Sequence, residues 1–171
     1  VYNGEKKVYS DFGEVLFTHF GISGPTVISA SSYINRLDLS NVSVSIDLKP
    51  ALSVEQLDLR VLRDFGKYKN KALKNSLDDL LLKSLIPEVI KLAKINGDVK
   101  NNELKSEDRK KLVNTIKDMR MYPYSLRDIS EAIVTAGGVS VKEINPKTME
   151  SRLVKGLFFA GEVIDTDALT G

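Results

Sequence analysis

Three regions of different composition predict an α+β fold, a mainly antiparallel sheet or small β-barrel with an inserted helical subdomain. Residues 1–51 are rich in β-branched and aromatic residues, residues 52–118 are rich in Leu, Lys, Asp and Asn, and residues 119–171 return to Val, Ile, Phe, Tyr and Gly. Strands favour the first kind of composition and helices favour the second. We therefore expect the two outer regions to form one β-rich part that the helical subdomain interrupts.

The first β-rich region begins with a predicted strand at residues 14–19. A glycine-rich turn follows, and Pro25 suits the first turn of a helix because its missing N–H group is not needed there. We expect this helix to extend to about Tyr33. Residues 41–48 alternate apolar and polar side chains, which is typical of a half-buried antiparallel strand. If the outer regions share a sheet, residues near 45 and 125 are neighbours in space.

Helical spacing of apolar residues predicts four short amphipathic helices in the middle region. The first follows a capping-box pattern at residues 53–56. The second is predicted from the spacing of Leu73, Leu77, Leu80 and Leu81. Pro87 opens the third, which should stop at residues 96–97. The fourth starts at Ser106, and its apolar stripe comprises Leu112, Val113, Ile116 and Met119.

The last region contains four short segments with the composition of strands. They lie at residues 121–126, 132–135, 139–142 and 156–160, and glycine or polar residues separate them. We expect these segments to complete the β-rich part. The region should end in a strand, followed by a loop that leads out of the β-rich part.

Composition excludes several classes of protein. The 171 residues carry 25 Lys and Arg against 23 Asp and Glu, and this net charge of +2 argues against a nucleic acid as partner. The chain has no Cys and a single His, so disulfides, thiolate metal sites and multi-histidine metal sites are excluded. The longest uncharged stretch, residues 15–35, is too polar to span a membrane. We expect a cytoplasmic protein.

A glycine pair in residues 135–139, with the sequence TAGGV, is the first candidate site. Paired glycines permit positive φ angles and a close approach to the backbone. One interpretation is a ligand that lies against this backbone. The other is a hairpin turn between two strands, which the residues alone favour.

His19 is the second candidate, because it lies beside the glycine-rich turn that leads into the first helix. Such a turn can offer backbone N–H groups to an anion, and the imidazole could act as an acid or a base. A hydrogen-bonded structural histidine is the alternative, and physical arguments favour it.

A cluster of lysines at residues 67–74, with a second basic run at 109–111, raises the possibility of a nucleic-acid patch. Acidic residues lie close to both in sequence, and aromatic residues are sparse. These features favour a solvated helix face.

The segment Phe159-Ala-Gly-Glu162 is the sharpest local signal. A strand end followed by Gly and an acid can bring a carboxylate to a ribose or ribityl hydroxyl. Asp165 and Asp167 are also candidate metal ligands, since carboxylates bind metal ions. Their spacing lacks the Gly and the distal Glu of a calcium loop, so we predict no metal site.

Three segments together resemble a known family. They are GEVLFTHFGISGP at residues 13–25, YPYSLRDISEAIVTAGGVSVKEINPKTMESRL at 122–153, and GLFFAGEVIDTDALTG at 156–171. They are similar to the bacterial BaiN/RdsA-type NAD(P)/FAD-dependent oxidoreductases. In that family a long insertion, with a barrel-like part and a helical part, splits a Rossmann-like FAD domain.

The resemblance implies a flavoprotein that binds FAD and uses NAD(P)H as its reductant to reduce a small-molecule substrate. This chain would be the insertion that covers the flavin and shapes the substrate pocket. By resemblance, Thr135, Gly137, Gly138, Gly161 and Glu162 would approach the cofactor. It gives His19 a place in the substrate pocket and identifies no catalytic residue.

The chain lacks the Gly-x-Gly-x-x-Gly fingerprint that the family carries in its N-terminal half. We therefore expect its partner to be the missing Rossmann-like FAD domain of the same protein, and the isolated chain to be inactive. Ala168 stands where family members often have Gly, which weakens the transfer of ligand roles to residues 165–171. The alternative is a non-enzymatic module that docks a protein or a nucleic acid.

Overall fold

A computed structural model describes residues 1–133 and 135–166 of the chain. It has the predicted α+β class, with helices and short antiparallel strand pairs that do not close into a barrel in the part described. The helices are α1 (Pro25–Ile34), α2 (Val54–Lys67), α3 (Ile86–Leu92) and α4 (Ser106–Lys117). The strands are β1 (Tyr2–Asn3), β2 (Lys6–Lys7), β3 (Leu16–Thr18), β4 (Gly21–Ser23), β5 (Val42–Ile46) and β6 (Met119–Met121).

The chain divides into two compact units. Unit 1 comprises residues 1–42 and 123–171, and unit 2 comprises residues 43–122. In unit 1, β1 pairs with β2 and β3 pairs with β4, both antiparallel. Helix α1 begins at Pro25 as predicted. Among the described residues of this unit, the buried apolar ones are few, namely Ala30, Ile34, Val42 and Ile144.

Unit 2 is built on a helical core. Helices α2, α3 and α4 turn their apolar faces toward one another, with Leu57, Val89 and Leu112 fully buried. The predicted capping box at the start of α2 is present, because Ser53 accepts a hydrogen bond from the Gln56 N–H and the Gln56 side chain accepts one from the Ser53 N–H. Such a box supplies partners to N–H groups that the helix itself leaves free.

Strands β5 and β6 pair antiparallel in unit 2, with Ser45 opposite Arg120. The sequence predicted this strand at residues 41–48 and placed residues near 45 and 125 together. The pairing confirms the strand, and the neighbour of residue 45 is residue 120 where the prediction named residues near 125. Beside it, Lys117 at the end of α4 forms an ion pair of 2.6 Å with Asp47 and donates to the Leu52 carbonyl.

The predicted second helix of the middle region is wrong. The four leucines are buried, but only a 3₁₀ turn at Leu73–Asn75 and further turns form there. The backbone N–H of Leu73 donates to Val99 and that of Lys74 donates to Gly97. These long-range bonds replace the local ladder that a helix would need. The spacing of the leucines reflects their burial in the core, and a helix would produce the same spacing.

Two helix ends also differ from the predictions. Helix α3 ends at Leu92, before residues 96–97, and Lys94 takes a positive φ of 55° just after it. Helix α4 ends at Lys117, so Met119 is not on its stripe but in β6. Met119 is buried all the same, because a strand can carry an apolar side chain into the same core.

The four strands predicted in the last region are largely absent. Residues 121–126 contribute only Met121 to β6, and residues 139–142 form one bridge and a 3₁₀ turn. Residues 156–160 pair with residues 149–151 through a single bridge, Glu150 with Phe158. Of the segment 132–135, Val134 lies outside the described residues, and its described members are not in a strand. Bridges this short leave the region mostly irregular.

The buried side chain of Asn101 fixes the turn after α2, and its loss should destabilise unit 2. Its amide nitrogen donates to the Tyr68 carbonyl at 2.9 Å, and its oxygen accepts from the buried hydroxyl of Ser76 at 3.0 Å. Exchange of Asn101 for alanine removes this donor from the partly buried Tyr68 carbonyl and leaves the Ser76 hydroxyl only the Leu73 carbonyl, so we expect a loss of about 1 to 3 kcal/mol in the free energy of unfolding. Urea unfolding of the full-length protein measures it. The exposed neighbour Asn102, changed to alanine, is the matched control, and equal effects of the two changes would contradict the account.

Candidate cofactor-binding site

The glycine pair lies in unit 1 against a distant segment of the chain. Gly138 has a φ of 143°, and a Cβ placed on it would lie 2.4 Å from the carbonyl oxygen of Val163. Only glycine allows this approach of two backbones. Gly137, with a φ of 102°, has open space where its side chain would be.

Residues Gly161–Val163 form a 3₁₀ turn beside the glycine pair. Gly161 has a φ of 77°, again with open space at the position of a Cβ. Glu162 follows on the exposed side of the turn. Its carboxylate makes no hydrogen bond or ion pair within the described part of the chain.

A parallel bridge between Val139 and Ile164 joins the two segments. The Val139 N–H donates to the Val163 carbonyl at 2.8 Å, and the Asp165 N–H donates to the Val139 carbonyl at 2.9 Å. Val139 thus pairs with residues 163–165 and not with the segment before the glycines. Among the described residues of segments 132–135 and 139–142, the hairpin that the residues alone favoured is not found.

The remaining predicted residues near the pair are less constrained. Thr135 is exposed. Asp165 forms an ion pair of 3.2 Å with Arg36, which follows α1. That contact was not predicted, since 129 positions separate the two residues and nothing local announces it. Asp167 and Ala168, which entered the sequence analysis, lie outside the described residues.

His19 lies at the tip of the β3–β4 hairpin, where it is exposed. Its ring meets the ring of Phe20 edge to face, with 5.1 Å between centroids. The Arg127 guanidinium lies 4.3 Å from the centroid of Phe20 and pairs with Glu131. No hydrogen bond links His19 to the glycine segments in residues 1–133 and 135–166. Its place in a substrate pocket stays a prediction.

Hydrogen bonds and an ion pair hold the charged side chains of the turn that carries Arg127. The Asp128 side chain accepts a hydrogen bond from the Ser130 N–H at 3.0 Å. This backbone hydrogen bond, followed by the Ser130 hydroxyl and the charge of Arg127, holds the pKa of Asp128 below its usual value. The turn beside Phe20 therefore presents both a fixed carboxylate and a fixed guanidinium.

Two structural findings bear on other kinds of site. Across residues 1–133 and 135–166, no cluster of three or more His, Cys, Asp or Glu side chains is arranged to hold a metal ion. In the same residues, no helix combines the length and hydropathy that crossing a bilayer requires.

Curated proteins from three bacteria are similar to most of this chain. The ribosomal RNA dihydrouridine synthase of Escherichia coli (strain K12) is 38% identical over 157 residues, which cover 92% of this chain and 37% of that protein. The enzyme of the same name from Haemophilus influenzae is 34% identical, over 95% of this chain and 38% of that protein. The 3-dehydro-bile acid delta(4,6)-reductase of Clostridium scindens is 28% identical, over 98% of this chain and 42% of that protein.

The chain therefore spans about two fifths of the length of the curated relatives it matches. A model of the HI0933-like protein barrel and H2TH domain matches residues 1–134, well over half of the sequence. The names of the relatives agree with the BaiN/RdsA-type resemblance found in the three sequence segments. The chain belongs to the HI0933-like barrel and H2TH domain family, and it fits an insertion domain of the BaiN/RdsA type.

Proposed function

We propose that this chain is the flavin- and substrate-covering part of an oxidoreductase that uses FAD and takes electrons from NAD(P)H. The pairing of Val139 with Ile164 carries the proposal, because it sets the glycine pair at residues 137–138 beside the turn at Gly161–Val163. The family resemblance assigned both segments to the cofactor. Their meeting in one unit supports a common ligand.

The residues of this site fit FAD in their backbone and in their charge. At Gly137 and Gly161 nothing lies within 4 Å of the position of a Cβ, so a phosphate or sugar group can approach the backbone. The exposed carboxylate of Glu162 is available to accept hydrogen bonds from ribityl or ribose hydroxyls. When bound, FAD would supply the redox chemistry of the reaction.

The exposed surface of unit 1 supports a role as a cover. Large apolar side chains face solvent there, among them Phe12 at 82%, Tyr124 at 89% and Ile129 at 74% exposure. We propose that another domain packs on these side chains, which would remove their apolar surface from water. The occupant we propose is the dinucleotide-binding domain of the same full-length protein, since the chain spans about two fifths of its relatives. An isolated half of a cofactor site is then expected to be inactive.

The names of the relatives describe one class of reaction. Dihydrouridine is uridine with two hydrogens added across a ring double bond conjugated with a carbonyl. A delta(4,6)-reductase acting on a 3-dehydro compound also hydrogenates a double bond conjugated with a ketone. We propose this class for the present protein, acting in the cytoplasm: reduction of a conjugated carbon–carbon double bond, in which one carbon accepts a hydride and the other a proton.

Exchange of Glu162 for alanine in the full-length protein should reduce the FAD that copurifies with it. One hydrogen bond to a charged carboxylate contributes about 1.5 to 3 kcal/mol, and this corresponds to roughly a 10- to 100-fold increase in Kd. Flavin absorbance after denaturation gives the content, and titration of the apoprotein followed by flavin fluorescence gives the Kd.

Glu143 provides the matched control for this test. It is an exposed glutamate in a 3₁₀ turn of the same unit, Val141–Glu143, and its change to alanine removes the same charge. We expect the Glu143 variant to keep its FAD. An unchanged flavin content and Kd in the Glu162 variant would remove this residue from the site.

A further inference from the structure

Charge is distributed unevenly between the two units. Unit 2 holds 17 Lys and Arg against 12 Asp and Glu, a formal charge of +5, whereas unit 1 holds 8 against 11, a formal charge of −3. The value of +2 for the whole chain hides this difference. A basic excess confined to one unit attracts polyanions to that unit.

Two of these basic side chains contact one aromatic ring. Tyr68 follows the end of α2, and the Nζ atoms of Lys67 and Lys71 lie 4.6 Å and 4.4 Å from the centre of its ring. Contact of this kind between an ammonium group and an aromatic face is attractive. The ring therefore holds two positive charges close together at the surface.

A second segment of the chain brings further lysines to the same place. Ala72 forms a bridge with Lys100, and the carbonyls of Lys69 and Lys71 accept hydrogen bonds from the N–H groups of Asn102 and Asn101. We call residues 67–71 together with Lys100 the lysine loop. All of its lysines are exposed.

A buried side chain holds the lysine loop in place, and carboxylates neutralise only part of its positive charge. The buried amide of Asn101 donates to the Tyr68 carbonyl. Asp79 pairs with Lys67 and accepts from the Tyr68 hydroxyl at 2.7 Å. Lys69, Lys71 and Lys100 have no carboxylate at ion-pair distance among the described residues.

Nearby acids limit the extent of the surface. Asp98 pairs with Lys74 at 2.6 Å, and Lys74 lines an open groove of about 590 Å³ together with Lys83 and Asp78. With the Asp98 partner of Lys74 counted, two carboxylates offset these two lysines. The unneutralised charge is therefore on the lysine loop.

We propose that the lysine loop binds the phosphate groups of an RNA substrate. This inference rests on the proposed function, since it selects RNA as the molecule that carries the base to be reduced. Lysines act as point charges for phosphate, and several on a fixed backbone can contact successive phosphates without reading sequence. The lysine loop then holds the RNA through its phosphate groups.

The test uses the full-length flavoprotein and a fluorescein-labelled oligouridylate about 16 nucleotides long. Its anisotropy is followed between about 50 and 200 mM salt. A variant with Lys69, Lys71 and Lys100 changed to alanine should bind about 10- to 100-fold more weakly, and the slope of log K against log salt should fall by about 2, because three phosphate contacts are lost. A Lys69 and Lys100 double variant, which leaves the Tyr68 ring contacts intact, should show an intermediate loss.

The matched control changes Lys142, Lys147 and Lys155 of unit 1 to alanine, which removes the same charge. Its RNA affinity and salt slope should stay close to those of the parent. Equal weakening in both triple variants, or no RNA binding by the parent, overturns the inference. So does equally tight binding of polyglutamate by the parent and equal loss of it in the variant, which would assign the surface to an acidic protein.

Flavin content and reduction of the bound flavin by NAD(P)H are measured on the same samples without RNA. These readouts test the proposed function alone. Intact flavin reduction with a loss of RNA binding confined to the lysine-loop variant supports both proposals. Absence of flavin with the same selective loss of RNA binding would remove the proposed function and leave the phosphate surface standing.

Discussion

Exchange of Gly138 for alanine should break the contact between the two glycine segments and release most of the FAD. The added Cβ would lie 2.4 Å from the Val163 carbonyl oxygen and 3.0 Å from the Asp165 nitrogen. Both are backbone atoms, so no side-chain rotation relieves the clash, and a φ of 143° is itself unfavourable for alanine. We expect a local loss of about 2 to 4 kcal/mol. Faster hydrogen exchange at the amides of Val139 and Asp165 would report it.

Two other glycines separate the clash from the general effect of adding a methyl group. Gly137 also has a positive φ but meets no atom within 4 Å, so its alanine variant should show the backbone strain alone. Gly66 lies inside α2 with open space around it, and alanine there should raise stability by about 0.5 to 1 kcal/mol. Protection of both amides in the Gly138 variant at the level of the parent would mean that the close approach is not formed.

Exchange of Leu112 for alanine should destabilise unit 2 by about 2 to 5 kcal/mol. Leu112 is fully buried in α4, within the cluster formed by the helices of this unit. Truncation removes apolar contacts and leaves a cavity that a close-packed core fills only in part. A lower urea midpoint, followed by far-ultraviolet circular dichroism of the full-length protein, would measure the loss.

Leu59 is the control for this change. It lies on α2 in the same unit but is 66% exposed, so its truncation should alter the free energy of unfolding by no more than about 0.5 kcal/mol. The Leu112 variant should keep its FAD under native conditions, because the proposed cofactor residues belong to unit 1. Similar midpoints for the two leucine variants would contradict the assignment of the core.

Elements with a local signal were predicted well. The capping box at residues 53–56 and the proline at position 25 both mark helix starts where expected. The groups that determine where a helix begins lie within its first turn. The alternation in residues 41–48 predicted β5 for a similar reason, since one face of the strand is buried. Where the pattern recorded burial alone, as at Leu73 to Leu81, the predicted element was wrong.

The candidate site was predicted in its parts and not in its assembly. Glycines at 137, 138 and 161 marked positions that need positive φ, and all three have it. No pattern showed that Val139 pairs with Ile164 or that Arg36 pairs with Asp165, because a few hydrogen bonds between distant segments leave no periodic trace. Their roles toward a cofactor stay predictions that the Glu162 and Gly138 variants test.

The sequence by itself determined the α+β class, the starts of three helices, the strand at β5 and the family. Each depends on interactions within a few residues or on motifs that the chain spells out directly. Only the tertiary structure decided that four leucines pack without a helix, that the two glycine segments meet, and that Lys100 lies beside residues 67–71. Those features depend on which distant backbone groups satisfy one another's hydrogen bonds, and that pairing is settled only when the chain is folded.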